Sequence, residues 1–200
     1  MAGLRERKKQ ATRIAIRDAA MGLFAERGFT RTTMDQIAEA ADVSRATVFT
    51  YFATKEDIVQ GDGASAVDAL AVALRENAAG GTIATVRDWL GQHAGWIEPE
   101  LVLQLKLARE VPVVGARRLQ LYGDVERVIA DALSAELGPR EELAAHLAAA
   151  SLVAAVRTAE ETAAARMEQK KRALTERETA ALLDSAVAFA EAGISALAAR

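Results

Sequence analysis

Between Ser44 and Lys55 the chain sets hydroxyl and cationic side chains among apolar ones (SRATVFTYFATK). Ser44, Arg45, Thr47, Thr50 and Tyr51 fall outward at helical spacing when Val48 and Phe52 are turned inward. Hydroxyls and a guanidinium on an exposed helix face suit polar binding. A guanidinium offers two parallel donors that match guanine O6 and N7, and hydroxyl or ammonium groups bond phosphate oxygens. Catalytic chemistry finds no comparable constellation. No paired carboxylates can be placed, no nucleophile has a base beside it, and Gly61-Asp62-Gly63 lacks the strand that precedes a phosphate-binding glycine loop. Two isolated histidines, His93 and His146, and the absence of cysteine leave no zinc site, and no cofactor is implied.

Cap signals fix the elements that carry these residues. Thr33 with Gln36, Ser44, and Thr54 with Asp57 mark three helix starts, and Ile37, Ala38, Ala41, Val43, Val48 and Phe52 supply an apolar interior between them. Residues Thr33 to Lys55 therefore read as a helix-turn-helix followed at once by another helix. Asp42 stands where the turn needs a left-handed residue, which Asp tolerates better than most. The second helix, Ser44 to Phe52, would be about 13 Å long, which fits a major groove.

A preceding helix is expected from about Arg7 to Arg27, with Ile16, Ala20, Leu23 and Phe24 on one stripe and Gly28 as its stop. After Thr54 the pattern predicts a helix to about Ala78, interrupted near Gly61 and Gly63, that joins two domains continuously. Further helices follow at about Ile83–Trp96, Glu100–Glu110, Gly115–Leu137, Arg140–Met167 and Glu176–Ala199, the one over Glu100–Glu110 closed by Pro112. The last two carry Ala-rich stripes that include Leu147, Leu152, Val153, Val156 and Leu183, Val187, Ala190. An all-α chain of about nine helices results.

Composition agrees, with 51% hydrophobic residues and only three prolines in 200 residues. The net charge of −3 is unevenly spread. Residues 1–60 hold 10 Lys/Arg against 8 Asp/Glu, so they carry +2 and the remaining 140 carry −5. A basic head on an acidic body suits contact with DNA at one end. Apolar runs are broken by charge well short of the roughly 18 residues a membrane span needs. The basic start is not followed by an apolar signal segment, so the expected location is cytoplasmic.

Taken together, Phe24-x-x-x-Gly28-Phe29, Thr33-x-x-x-Ile37-Ala38-x-x-Ala41-x-Val43-Ser44 and Thr47-Val48-Phe49-x-Tyr51-Phe52-x-x-Lys55-Glu56 resemble the TetR family of one-component transcriptional regulators, over about 50 residues of the chain. Two positions depart from the family's pattern: Asp42 stands for its usual glycine, and Phe49 for its usual tyrosine, without the hydroxyl. The resemblance implies an N-terminal three-helix DNA-binding domain over 1–53 and a C-terminal helical effector-binding and dimerisation domain over 54–200. It further implies a homodimer, formed through the last two helices, that represses from a palindromic operator on double-stranded DNA. A small-molecule effector would release it by moving the helix after Thr54. A competing reading keeps the fold without an effector, as a DNA-organising or partner-binding protein.

By resemblance and chemistry, Arg45 reads a base edge, with phosphate binding as the other option. Ala46, Thr47 and Thr50 face the groove, Thr47 having capping of Ser44 as its alternative. Thr33, Ser44, Tyr51 and Lys55 are assigned to phosphates, and for Lys55 an ordinary solvated lysine is the alternative. Phe49 reads as packing. The basic residues Arg5 to Arg13 either reach the flanking backbone or minor groove or form a solvated arm. In the second domain, Trp89, His93 and Trp96 share one helix face and would line a ligand pocket, or else belong to an ordinary core. Gln104, Tyr122 and Arg157 are the polar candidates nearby, although arginine also pairs with carboxylates such as Glu160. The small residues Ala144, Ala148, Ala155, Ala186 and Ala190 would form the dimer face or else seal the monomer core.

Overall fold

The computed structural model of the chain describes residues 2–61, 63–92 and 100–198, and all regular structure among them is helical. The helices are α1 (Ala2–Arg27), α2 (Met34–Ala40), α3 (Arg45–Tyr51), α4 (Lys55–Gln60), α5 (Gly63–Glu76), α6 (Thr82–Gln92), α7 (Leu101–Glu110), α8 (Pro112–Leu137), α9 (Glu142–Lys170) and α10 (Glu176–Ala198). A short 3₁₀ turn at Ala78–Gly80 precedes α6. None of the described helices is long and apolar enough to cross a membrane.

The chain divides into two compact units. The first contains residues 1–61 and 106–118. In it α1 packs on α2 and α4, and α2 packs on α3. Ile16, Ala20, Phe24, Phe29, Ile37, Val48, Phe52 and Ile58 are all buried, and the Phe24 and Phe29 rings lie 5.1 Å apart. The three cap signals form as read. Thr33 and Thr54 each close a reciprocal capping box, with Gln36 and Asp57, and the Ser44 side chain accepts from the Thr47 N–H. Asp42 takes φ 53° in the turn, so the family's glycine is replaced without losing the left-handed geometry.

The second unit contains residues 62–105 and 119–200. Its main core joins Leu70 and Leu74 of α5, Val86, Trp89 and Leu90 of α6, Ile129 and Leu133 of α8, Leu152 and Val153 of α9, and Val187 of α10. A smaller cluster sets Leu101 and Leu105 against Ala163, Ala164 and Met167. α9 reverses at Lys171, φ 52°, and α10 opens with a capping box in which Thr175 and Glu178 exchange hydrogen bonds.

Four expectations change. α1 begins at Ala2 and absorbs the basic stretch near Arg7, because its Ala, Arg, Lys and Gln residues favour helix. The helix after Thr54 is not one continuous joint. It ends at Gln60, where Gly61 takes φ 61° and ψ −125° and donates back to the Asp57 and Ile58 carbonyls, and a new helix begins at Gly63. Pro112 opens α8 at the one helical position where its missing N–H costs nothing. Leu147 is 48% exposed on α9 and outside the core, whereas Ala148, Ala186 and Ala190 are buried within the unit.

Candidate nucleic-acid interface

α3 is seven residues long, and its outer face is polar with one ring. Ser44, Arg45, Ala46, Phe49 and Thr50 are exposed, and Thr47 is half-buried. The Ser44 hydroxyl lies 2.7 Å from that of Thr47 and accepts from its N–H at 3.0 Å. Thr47 thus takes part in the cap. Thr50 Oγ1 donates to the Ala46 carbonyl at 2.9 Å. Thr33 is exposed at the start of α2, where its hydroxyl is engaged by Gln36 N–H at 3.2 Å.

Arg45 is held from two sides. Its Nη1 donates to Asp35 Oδ2 at 3.2 Å, and its guanidinium carbon stands 5.5 Å from the centroid of the Phe49 ring. Both charged side chains are 63% exposed, so the pair contributes little to stability and mainly restricts where the guanidinium points. Phe49, read from the sequence as packing, is instead 44% exposed one helical turn from Arg45. Val48 is the residue turned inward there, fully buried, and on a helix neighbouring residues do not share one face.

Lys55 is half-buried and is not an ordinary solvated lysine. Its Nζ donates to the Phe29 carbonyl at 2.8 Å and the Thr32 carbonyl at 2.7 Å, and stands 4.5 Å from the Phe29 ring centroid. Those bonds tie the first turn of α4 to the link between α1 and α2. Arg13 has a similar structural use. It donates to the carbonyls of Tyr51 and Gly61 at 3.1 and 3.0 Å, and its guanidinium lies 4.3 Å from the Phe52 centroid. It therefore joins α1 to the ends of α3 and α4 and leaves the exposed Arg5, Arg7, Lys8 and Lys9 as the basic stretch of that helix. Tyr51 is half-buried. Asp57 accepts from Thr54 N–H through one oxygen and from Arg117 Nη2, at 2.9 Å, through the other.

In the second unit an apolar cavity of about 30 Å³ is lined by Leu70, Trp89, Tyr122, Val125, Ile129 and Val153 among others. Trp89 and Tyr122 are thus at the cavity, and the Tyr122 hydroxyl donates to the carboxylate of Glu160, which is itself buried. Gln104 is half-buried and Arg157 exposed, and neither lines this cavity. His93 and Trp96 lie outside the described residues.

Comparison with known proteins follows this geometry. Residues 16–61 match the family model for bacterial regulatory proteins of the tetR family. Over 56 residues the chain is 45% identical to the HTH-type transcriptional regulator TcmR of Streptomyces glaucescens, and equally so to the putative mycofactocin biosynthesis transcriptional regulator MftR of Mycobacterium tuberculosis. These matches take in 28% of this chain and 25% and 28% of the relatives, so the chain spans about a quarter of the length of the curated relatives it matches. Among solved structures, the fatty acid degradation regulator FadR of Bacillus halodurans superposes with a TM-score of 0.60 at 19% identity, over 88% of this chain and 96% of that one. FadR of Thermus thermophilus, a repressor in complex with lauroyl-CoA, gives 0.55 at 24% identity over 90% and 94%. The SmeT–triclosan complex gives 0.54 at 22% over 89% and 90%. At such identities the likeness establishes the fold. Residues 16–61 thus match the helix-turn-helix of bacterial regulatory proteins of the tetR family, and the chain as a whole shares the fold of these solved regulators.

Proposed function

We propose that the protein is a homodimeric transcriptional repressor that binds a palindromic operator on duplex DNA and is released by an apolar small molecule. The observation that carries the DNA-binding part is the outer face of α3. Five side chains are exposed there on a helix whose start is capped and whose far end is pinned by Arg13, so the face is presented rigidly. Arg45 supplies the donors for guanine, and Ser44, Thr33 and the exposed basic residues of α1 supply phosphate contacts. Selection of bound DNA from the whole genome, with Arg45→Ala alongside, tests this. Loss of preference at one base pair per half-site is expected for the variant. Uniform weakening would move Arg45 to the backbone, and an affinity insensitive to salt would remove the DNA-binding reading altogether.

The effector part rests on the cavity and on α8. That helix is continuous from Pro112, carrying Arg117 to Asp57 at the start of α4, and further along it carries Tyr122, Val125 and Ile129 to the cavity wall. A ligand that widens the cavity would displace α8 and with it the Arg117–Asp57 pair. A coupling of about 1–3 kcal/mol suffices for 5–150-fold release from DNA. Solved structures of this fold include a complex with lauroyl-CoA, whose acyl chain is apolar, and one with triclosan. A second reading, effector-independent DNA organisation, draws on the cavity's size: about 30 Å³ holds one water, whereas ligand pockets occupy about 300–1,000 Å³. A melting-temperature screen against apolar compounds separates the two, with stabilisation by a compound that also releases DNA favouring the first.

A further inference from the structure

We infer that Phe49 is a base-reading residue and that, with Arg45, it selects a guanine with a thymine at the neighbouring base pair, through the thymine methyl group. The inference rests on α3 reading duplex DNA. Phe49 follows Arg45 by four residues, so the two share one face of α3, and the ring centroid stands 5.5 Å from the guanidinium carbon. Successive bases along one strand are about 3.4 Å apart, so groups this close reach the same base pair or adjacent ones. Arg45 offers the paired donors that guanine O6 and N7 accept. A phenyl ring can neither donate nor accept there, and the single apolar feature of the major groove is the C5 methyl of thymine. The ring is 44% exposed on the outer face of α3, which leaves unburied apolar area there. Covering it on a methyl recovers part of that area. The ring also keeps the guanidinium from rotating away from guanine, while Asp35 at 3.2 Å holds its other side.

The test uses the full-length protein and the operator recovered by selection. Each thymine is replaced in turn by deoxyuridine, which removes the methyl and leaves every hydrogen-bonding group in place. In the unaltered protein, one thymine next to the guanine read by Arg45 should lose about fourfold in affinity per half-site, the worth of burying one methyl group. In Phe49→Ala that position should become insensitive while the salt dependence stays the same. The inference is overturned if no deoxyuridine position matters, if sensitivity persists in Phe49→Ala, or if that variant weakens thymine and deoxyuridine operators equally. Recovery of no DNA at all would instead reject the DNA-binding reading on which it depends. Because Phe49 is exposed, Phe49→Ala should melt at the temperature of the unaltered protein, and Phe49→Leu, which keeps an apolar contact, should retain part of the methyl effect.

Discussion

The Lys55 ammonium makes two short bonds to backbone carbonyls and faces an aromatic ring, all within the first unit. Moving it to a DNA phosphate would leave the Phe29 and Thr32 carbonyls without that donor, and hydrogen bonds to a charged group are worth about 1.5–3 kcal/mol. Lys55→Ala should therefore destabilise the DNA-free protein by about that amount, read as a lower melting temperature. A lysine that serves only phosphate would be neutral within about 0.5 kcal/mol in the same measurement, and that result would restore the DNA contact. Neither of its sequence readings contained this role. What Lys55 bonds to lies 23 and 26 residues away, and what Arg13 bonds to lies 38 and 48 residues away. Local pattern carries no information at such separations. The caps at Thr33, Ser44 and Thr54 were legible because donor and acceptor are three residues apart.

At the scale of elements, the same distinction governs α7 and α8. Helix periodicity located both, but it could not show that they approach closely. Pro112 has no N–H to offer the Ala108 carbonyl, and that oxygen lies 2.5 Å from where a Cβ on Gly115 would stand. Two effects compete in Gly115→Ala. Alanine is favoured in a helix interior by about 1 kcal/mol, whereas a clash with backbone that cannot swing aside costs about 1–3 kcal/mol. The clash should win, and Gly115→Ala should melt lower. Gly123, in the same helix, has nothing within 4 Å of its would-be Cβ. Gly123→Ala should melt higher by roughly the propensity difference, which makes it the internal control. If both variants gained stability, the approach of α7 to α8 would be soft. The start of α10 shows another limit of the sequence. Glu178 closes a capping box with Thr175 and also receives Arg172 and Lys170, and these donors hold its carboxyl well below the usual carboxylate range. Its contribution is accordingly full at neutral pH and is lost progressively as the pH falls through and below the usual carboxylate range. The charged residues before α10 are plain in the sequence, but that Lys170, Arg172 and Thr175 converge on one carboxylate is not.

At the scale of the whole molecule the open matter is how many copies bind DNA. α3 spans seven residues, so one copy touches too few base pairs for a specific site, and two-fold pairing doubles the contacts on a palindrome. The alanines first suited to that role are mostly enclosed: Ala148, Ala186 and Ala190 are buried in the second unit. Exposed apolar residues on the described parts of α9 and α10 are instead Leu143 and Leu147, one turn apart on α9, and Phe189 on α10, at 72%, 48% and 71%. α9 and α10 pack on each other along their length, so these three belong to one helical pair of the kind that forms a four-helix interface with a copy of itself. A stable interface hides about 800 Å² on each partner, and a glutamate placed near its centre must be desolvated unpaired. Leu147→Glu combined with Phe189→Glu should sediment as a monomer at concentrations where the unaltered protein is a dimer. Its melting temperature will fall if the monomer is marginal, so binding to a single half-site is the decisive second measurement. Losing one of two identical DNA-binding heads halves the phosphates neutralised, and the slope of log affinity against log salt should fall to about half. A double variant that stays dimeric, or keeps the full slope, would locate the partner surface away from α9 and α10.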